Sequence, residues 1–385
     1  MSNIVKSLFI ILSVMVMIAG CQSSPVTVSK AEEDALFDKK FLDEMRREVL
    51  GISEDEEIDY DLFSSIREVI IENDKGKTEY ILDDWVTPAT LSFHIKDISY
   101  LILFDEVHSI QIYFLPTNII PDFSTLEKLN YILLYDCDVQ SIDGLKYSYQ
   151  LTHLSIFNSY SDVVRLKDLY KISNLRSLEE IFITHSLIDD SDIAFLESEC
   201  PVINSLKRVE LVGNAISSST PFSNMPNLSS LNCSFNEIST LFISADSQNA
   251  NTLQSLSLDG NDISTLEEIS NLNRLSYLSV SSNRINKFDI AKNSRIYSTL
   301  LYLEINGNEL KTLDGIVDLE NLWDLDITRN PSIDLNQLSD ARFLDTLQGI
   351  NYDKDNPISE ELLDRLPGEC DNFSPAFLPL TLKGI

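Results

Sequence analysis

The sequence predicts an α/β solenoid, a curved stack of short repeat units with a parallel β-sheet on its concave face. Two observations predict it. The first is a repeat: Leu253, Leu256, Leu258, Asn261 and Ile263 recur 22 residues later and then again after 25 more. The second is an alternation, in which unit positions 4 and 6 are apolar while positions 5 and 7 are polar, as in a strand with one buried face. Since no unit could bury its apolar face alone, each needs a neighbour.

The ninth position of the unit carries the signal along most of the chain. With Leu253 as position 1, spacings of 22 to 28 residues place it at Leu115, Cys137, Ser159, Ser186, Asn214, Asn236, Asn261, Asn283, Asn308, Asn330 and Asp355. An asparagine amide can satisfy backbone groups where the chain turns off the strand. Because other residue types occupy this position in the first four units, we expect a less regular ladder there.

These eleven units resemble the leucine-rich repeat family over about residues 98–358. The 22-residue units and the turn Ile142-Asp143-Gly144-Leu145 resemble those of bacterial internalins. Residues 36–97, with helical signals and a first strand around Ile66–Ile71, resemble the internalin N-terminal cap. We also expect helices on the convex side at 163–169 and 193–196, and a C-terminal cap and tail over 359–385, with a helix at 360–366.

The N-terminus has the features of an export signal. Lys6 precedes an apolar run from Leu8 to Ala19, which is shorter than a membrane span needs. Ile18-Ala19-Gly20-Cys21 resembles the lipobox of bacterial lipoproteins. The resemblance implies a signal peptide over 1–20, cleavage after Gly20, diacylglycerol on the Cys21 thiol and acylation of its new amino group. Residues 21–35 would then be a lipidated, flexible tether.

The resemblance to lipoproteins also implies a place in the cell. A lipid-anchored chain would lie in the bacterial envelope, and the absence of an aspartate after Cys21 favours the outer membrane. Display toward the outside and toward the periplasm both remain open.

The charge of the chain excludes several classes of function. With 61 acidic and 29 basic residues the net charge is −32, so DNA and RNA would be repelled and anionic membrane surfaces are disfavoured. No phosphate-binding loop, zinc protease motif or dinucleotide fingerprint occurs. His153, His185 and Ser155 do not form a predicted catalytic site, because the sequence contains no nucleophile elbow and no oxyanion-hole glycine. Asp353 does not begin a calcium-binding loop, because Pro357 occupies a ligand position and Ile358 the position of the required glycine. The sequence predicts no enzyme, no metal and no cofactor.

The five cysteines do not suggest a disulfide framework. Cys21 is assigned to the anchor, Cys233 falls at core position 6, and Cys137 lies about four strands away, roughly 19 Å at the usual strand spacing. A disulfide needs Cα atoms within about 7 Å. Cys200 and Cys370 are separated by about seven units. We therefore expect no disulfide.

Positions 3, 5 and 7 should project from the concave face, where a partner would bind. The candidate contact residues there are Tyr113, Tyr131, Leu133, Tyr135, His153, Phe157, Phe182, Tyr277 and Tyr302. We predict a contact patch of Tyr113, Tyr131, Tyr135, Phe157 and Phe182, and acidic later units that steer a basic protein partner. Two alternatives remain: strand propensity alone can place aromatic residues here, and residues 72–97 could fold over them.

The function could belong to any of three classes. The first is recognition or adhesion through a protein partner, as the resemblance to internalins implies, although internalins usually attach to the cell wall. The second is glycan binding, because aromatic rings flanked by Ser, Asn and Asp can stack on sugars. The third is a structural envelope factor that joins two lipoproteins.

Overall fold

The structure is a computed structural model that describes residues 68–72, 78–80, 89–91, 98, 101–102, 105–158, 164–241, 243, 246–330 and 333–368. The chain divides into two units, the first ending at Leu178 and the second beginning at Glu179. The signal segment, Cys21, the tether, the predicted N-terminal helices and Cys370 lie outside the described residues, so the calls on them remain predictions.

In the described residues of the first unit, four parallel strands pair side by side in chain order. The strands are β1 Glu68–Glu72, β4 Ser109–Tyr113, β5 Tyr131–Tyr135 and β6 His153–Phe157. β1 is the first strand that the sequence predicted. Between β1 and β4, an antiparallel pair forms from β2 (Thr78–Tyr80) and β3 (Ala89–Leu91).

The part of the second unit that the structure describes contains eight parallel strands, which pair in chain order. They are β7 Glu180–Thr184, β8 Arg208–Glu210, β9 Ser230–Asn232, β10 Ser255–Ser257, β11 Tyr277–Ser279, β12 Tyr302–Glu304, β13 Asp324–Asp326 and β14 Gly349–Asn351. The repeat predicted from the ninth position sets this pairing, since Leu256 opposes Leu278 and Leu303 opposes Leu325. The predicted fold class is thus confirmed in each unit.

Short helices connect the strands. One-turn α-helices lie at α1 Asp190–Ile193, α2 Ile296–Thr299 and α3 Glu360–Leu363. Turns of 3-10 helix lie at Asp143–Leu145, Leu169–Asn174, Ala194–Glu197, Pro201–Asn204, Thr220–Phe222, Gln248–Asn251, Glu267–Asn271, Ile316–Asp318 and Leu335–Asp340.

The helix predicted at 163–169 is wrong over its described part. Lys167 forms a bridge with Ser141 of the preceding repeat, and the 3-10 turn begins only at Leu169. The Asp168 carboxylate accepts hydrogen bonds from the Ser141 hydroxyl and the Ile142 amide, which tie this segment to the preceding repeat. The helix predicted at 193–196 does form, beginning in α1 behind a capping box at Asp189.

The core of each unit is made by positions 4 and 6 of the strands. Leu256, Leu258 and Leu278 are fully buried, as are Ile110 and Ile112 in the first unit. Cys233 is buried at position 6 as predicted, and the three described cysteines, Cys137, Cys200 and Cys233, are all free thiols. Burial raises the pKa of the Cys233 thiol, which is therefore a small apolar core residue.

The second unit is stabilised by a ladder of buried or partly buried asparagines at position 9. Asn236 donates from its amide to the carbonyls of Leu211, Cys233 and Ser234 at 2.8 to 3.2 Å, and its Oδ1 accepts from the Ile216 amide at 3.0 Å. Asn261, Asn283, Asn308 and Asn330 repeat this pattern. Each amide thus satisfies backbone groups of two successive repeats that would otherwise be buried without partners.

In the first unit a thiol takes over part of this role. Cys137 donates through Sγ to the carbonyls of Ile112 and Tyr135, at 3.3 and 3.2 Å. These carbonyls hold the same repeat positions as two of the three that Asn236 contacts. Burial raises the pKa of Cys137 to about 12, so the thiol keeps the proton that it donates. At this one position, therefore, a thiol makes part of the contacts that asparagine makes in the second unit.

Candidate binding face

The candidate site is the exposed face of the sheet, formed by positions 3, 5 and 7, and we describe it separately in each unit. In the first unit the position-7 residues are Tyr113, Tyr135 and Phe157, which lie side by side on three adjacent strands. The ring centroids of Tyr113 and Tyr135 are 6.1 Å apart, and those of Tyr135 and Phe157 are 6.2 Å apart. Tyr135 is 41% exposed. The structure therefore brings three of the predicted contact residues together.

Phe114 joins this row although the sequence analysis did not select it. It occupies position 8, is 41% exposed, and packs its ring edge-on against Tyr135 at 5.5 Å. Its φ of 59° lies in the left-handed region, which position 8 also adopts at Gly213, Gly260 and Gly307. Glycine recurs at position 8 of three later units, and this recurrence in the sequence indicates that the backbone turns there. A side chain at position 8 therefore points away from the strand. We call Tyr113, Phe114, Tyr135 and Phe157 the aromatic row.

Polar contacts hold one end of the aromatic row in place. The Tyr113 hydroxyl donates to Gln111 at 3.0 Å, and the Gln111 amide donates to the Glu68 carboxylate at 2.6 Å. Ser109 donates to the same carboxylate at 3.2 Å. This network fixes the orientation of the Tyr113 ring, so less side-chain entropy is lost when a partner packs on it.

The other predicted contact residues of the first unit differ in accessibility. Tyr131 and His153 are partly buried on neighbouring strands, with ring centroids 5.9 Å apart. Leu133 does not project into the open as predicted, because it is only 7% exposed between its neighbours on β4 and β6.

On the second unit the exposed face is dominated by carboxylates and their partners. Asp259 accepts hydrogen bonds from the Ser279 hydroxyl at 2.6 Å and from the Ser281 amide at 2.7 Å. Glu304 accepts from the hydroxyls of Tyr277 at 2.9 Å and Ser279 at 3.2 Å. Burial raises the pKa of both carboxyl groups, although the hydrogen bonds oppose this shift. The face is acidic and internally hydrogen-bonded.

The aromatic residues of this face are only partly available. Tyr277 was predicted to be a contact residue, but it is 9% exposed, since its hydroxyl is drawn onto Glu304. The Tyr302 ring contacts the Tyr277 ring in a tilted arrangement and the Trp323 ring edge-on, with centroids 6.4 and 6.1 Å apart. Trp323, at position 2, is 45% exposed and was not foreseen. Phe182 lies partly buried on β7, opposite Glu210.

Glu210 makes the stability of the fold depend on pH. Burial raises its pKa from 4.5 to about 7. The folded state therefore binds the proton more tightly than the unfolded state, and the free energy of unfolding should fall as pH rises from about 4.5 to 7, by at most about 3 kcal/mol from this group. Glu210→Gln should flatten the profile measured by urea unfolding at pH 5 to 8, whereas Glu309→Gln, at an exposed site, should not. Equal slopes in Glu210→Gln and the parent chain would contradict this.

Neither a metal centre nor a membrane-spanning helix occurs in the part of the chain that the structure describes. Within it, no three His, Cys, Asp or Glu side chains are grouped so as to hold a metal ion. No helix there is long and apolar enough to cross a bilayer. The apolar run at 8–19 lies outside these residues.

Comparison with solved structures identifies the fold. An internalin of Listeria monocytogenes, InlF, superposes with a TM-score of 0.53 and 22% identity, over 82% of this chain and 96% of that one. The chain has an internalin-like leucine-rich repeat fold. InlP of the same bacterium matches with a TM-score of 0.50 and 15% identity, over 79% of this chain and 75% of its own. No family model and no curated protein matches the sequence.

A further structural neighbour comes from Drosophila. Toll, in its complex with Spätzle from Drosophila, matches with a TM-score of 0.50 and 18% identity, over 71% of this chain and 37% of that chain. At these identities the likeness concerns the fold alone.

Proposed function

We propose that this chain is a lipid-anchored, non-enzymatic envelope protein that binds a protein partner on the exposed sheet face of its first unit. The observation that carries the proposal is the aromatic row. Four adjacent aromatic side chains lie on one face with ring centroids 5.5 to 6.5 Å apart, and two of them are 41% exposed. Exposed aromatic clusters of this kind mark contact sites, because they bury a large area at low entropic cost.

The geometry of the row favours a protein over a glycan. Adjacent rings of Tyr113, Tyr135 and Phe157 are tilted by 33° and 42°, and Phe114 meets Tyr135 at 74°. A sugar ring stacks on a flat aromatic face, whereas tilted rings form an uneven surface into which side chains of a partner can pack. The acidic face of the second unit favours a partner with basic residues, since complementary charge accelerates association.

The lipid anchor rests on the sequence around Cys21. Ile18-Ala19-Gly20-Cys21 follows an apolar segment, and the mature chain would begin at a diacylated cysteine. Several acyl chains, each contributing about 0.8 kcal/mol per buried methylene group, would hold the protein in the bilayer. Mass spectrometry of the N-terminal peptide should find the acyl groups, and an unmodified Cys21 would contradict the anchor.

The test of the binding face uses a double substitution, Tyr135→Ala with Phe157→Ala. Partners are captured with the parent chain from envelope and host extracts, and a glycan array is probed in parallel. We expect the double variant to weaken binding of the captured protein at least about 100-fold, as for hot-spot residues. Tyr149→Ala, an exposed tyrosine outside the sheet, is the matched control and should leave binding unchanged. Unchanged affinity in the double variant, or binding to glycans alone, would contradict the proposal.

A further inference from the structure

A second exposed aromatic surface lies on the first unit, away from its sheet. Tyr147, Tyr149 and Tyr170 are 51, 50 and 54% exposed, and they belong to the segments that connect successive strands. Lys146 and Lys171 lie between them. We call these five residues and Asp143 the tyrosine–lysine cluster. Single exposed apolar residues need no explanation, but three half-exposed phenol rings linked through one ion-paired group do.

Contacts join the cluster into one surface across two repeats. The Asp143 carboxylate pairs with Lys146 at 2.9 Å and with Lys171, from the next repeat, at 2.7 Å. The Lys146 ammonium lies 5.4 Å from the Tyr147 ring centroid, and the Lys171 ammonium lies 5.2 Å from that of Tyr170. Tyr147 and Tyr149 are 6.3 Å apart. Two ammonium groups and three phenols are therefore presented together, with one carboxylate between them.

The local charge differs in sign from that of the chain. The cluster itself contains two lysines and one aspartate, a net charge of +1 in a chain whose total is −32. At physiological ionic strength charges are screened beyond about 8 Å. A surface in contact with the cluster therefore experiences its two ammonium groups and its one carboxylate directly, whereas more distant charges of the chain act on it more weakly.

We propose that the tyrosine–lysine cluster rests on the phospholipid headgroup layer of the membrane that carries the anchor. Tyrosine is suited to this layer because its ring enters the apolar boundary while its hydroxyl stays hydrated, and lysine donates to lipid phosphates. Because the rings are half-exposed on connecting segments, they can contact a broad, deformable surface such as the headgroup layer. The proposal rests on the proposed anchor, which holds the chain at the bilayer, and it orients the first unit with this cluster against the lipid.

The test places a fluorescent reporter in the cluster. The full chain carrying Tyr149→Trp is added to phosphatidylglycerol and phosphatidylethanolamine vesicles, some of them brominated near the headgroup. The parent chain is measured in the same way, so that the fluorescence of its native tryptophans can be subtracted. Tyr135→Trp, in the aromatic row, is the matched reporter at a second position. We expect quenching at residue 149 and none at residue 135.

The lysines supply a second comparison. In the Tyr149→Trp background, Lys146→Gln with Lys171→Gln should raise the lipid concentration for half-maximal quenching about tenfold or more. Lys287→Gln with Lys292→Gln, two exposed lysines of the second unit, should not change it. Thermal unfolding checks that each variant is folded.

Three outcomes would overturn the proposal: no quenching at residue 149, equal quenching at both reporters, or a spectral change at residue 149 that needs a soluble acidic protein and not lipid. The mass of the N-terminal peptide reports separately on the anchor. An unmodified Cys21 together with selective quenching at residue 149 would refute the anchor and still support the cluster, and the reverse pattern would refute the cluster alone.

Discussion

Replacing Asn283 with leucine should destabilise the second unit by about 3 to 5 kcal/mol. The Asn283 amide contacts the carbonyls of Leu258, Val280 and Ser281 at 2.9 to 3.1 Å, and its Oδ1 accepts from the Ile263 amide at 2.9 Å. Leucine has a similar volume but no polar atoms, so it would leave several buried backbone groups of two repeats without partners. Each such group costs about 1 to 3 kcal/mol.

The measurement is urea unfolding followed by circular dichroism, with Asn286→Leu as the control. Asn286 is exposed a few residues further along the same repeat, and its loss should change the free energy of unfolding by no more than about 0.5 kcal/mol. If Asn283→Leu lowered the free energy of unfolding by less than about 1 kcal/mol, a stabilising role of the asparagine ladder would be contradicted.

Gly144→Ala should destabilise the first unit by about 2 to 4 kcal/mol, for a different reason. A Cβ at this position would lie 2.0 Å from the Pro121 carbonyl oxygen and 2.3 Å from that of Ile120, both backbone atoms of the preceding repeat. The two repeats would have to separate, which strains the hydrogen bond from the Ile120 amide to the Ser141 carbonyl. This contact gives a physical reason for glycine in the turn that resembles internalins.

Gly368→Ala is the matched control, because no atom lies within 4 Å of a Cβ built there. It should be neutral or slightly stabilising, since alanine restricts the unfolded chain. Differential scanning calorimetry of both variants measures the difference, and equal melting temperatures would show that the repeats can move apart at little cost.

The sequence predicted the repeat register well because burial dictates it. A shift of one residue would turn every position-4 and position-6 side chain toward solvent, so the apolar alternation sufficed even where position 9 is not asparagine. Cys137 shows how a residue other than asparagine is tolerated at position 9, since its thiol donates to two carbonyls at repeat positions that Asn236 also contacts. The helix at 163–169 was mispredicted because Asp168 and Lys167 bond to the preceding repeat, and sequence periodicity cannot foresee that contact.

The exposed face was harder to predict than the core. Alternation assigns a side chain to one face, but its accessibility depends on its neighbours across the sheet. Tyr277 is buried because its hydroxyl donates a hydrogen bond to Glu304 on the next strand, and Leu133 is buried between adjacent strands. Phe114 and Trp323 occupy positions 8 and 2, outside the positions that alternation selects, and the left-handed backbone at Phe114 turns its side chain away from the strand direction.

Residue-specific photocrosslinking in cells tests the central claim most directly. A photoreactive phenylalanine analogue replaces Tyr135 in the aromatic row, and separately Tyr147 outside the sheet. A partner bound on the sheet face should give one dominant protein adduct from position 135 and none of that adduct from position 147. The same protein crosslinked from position 147 alone, or no protein adduct from position 135, would contradict a binding site on this face.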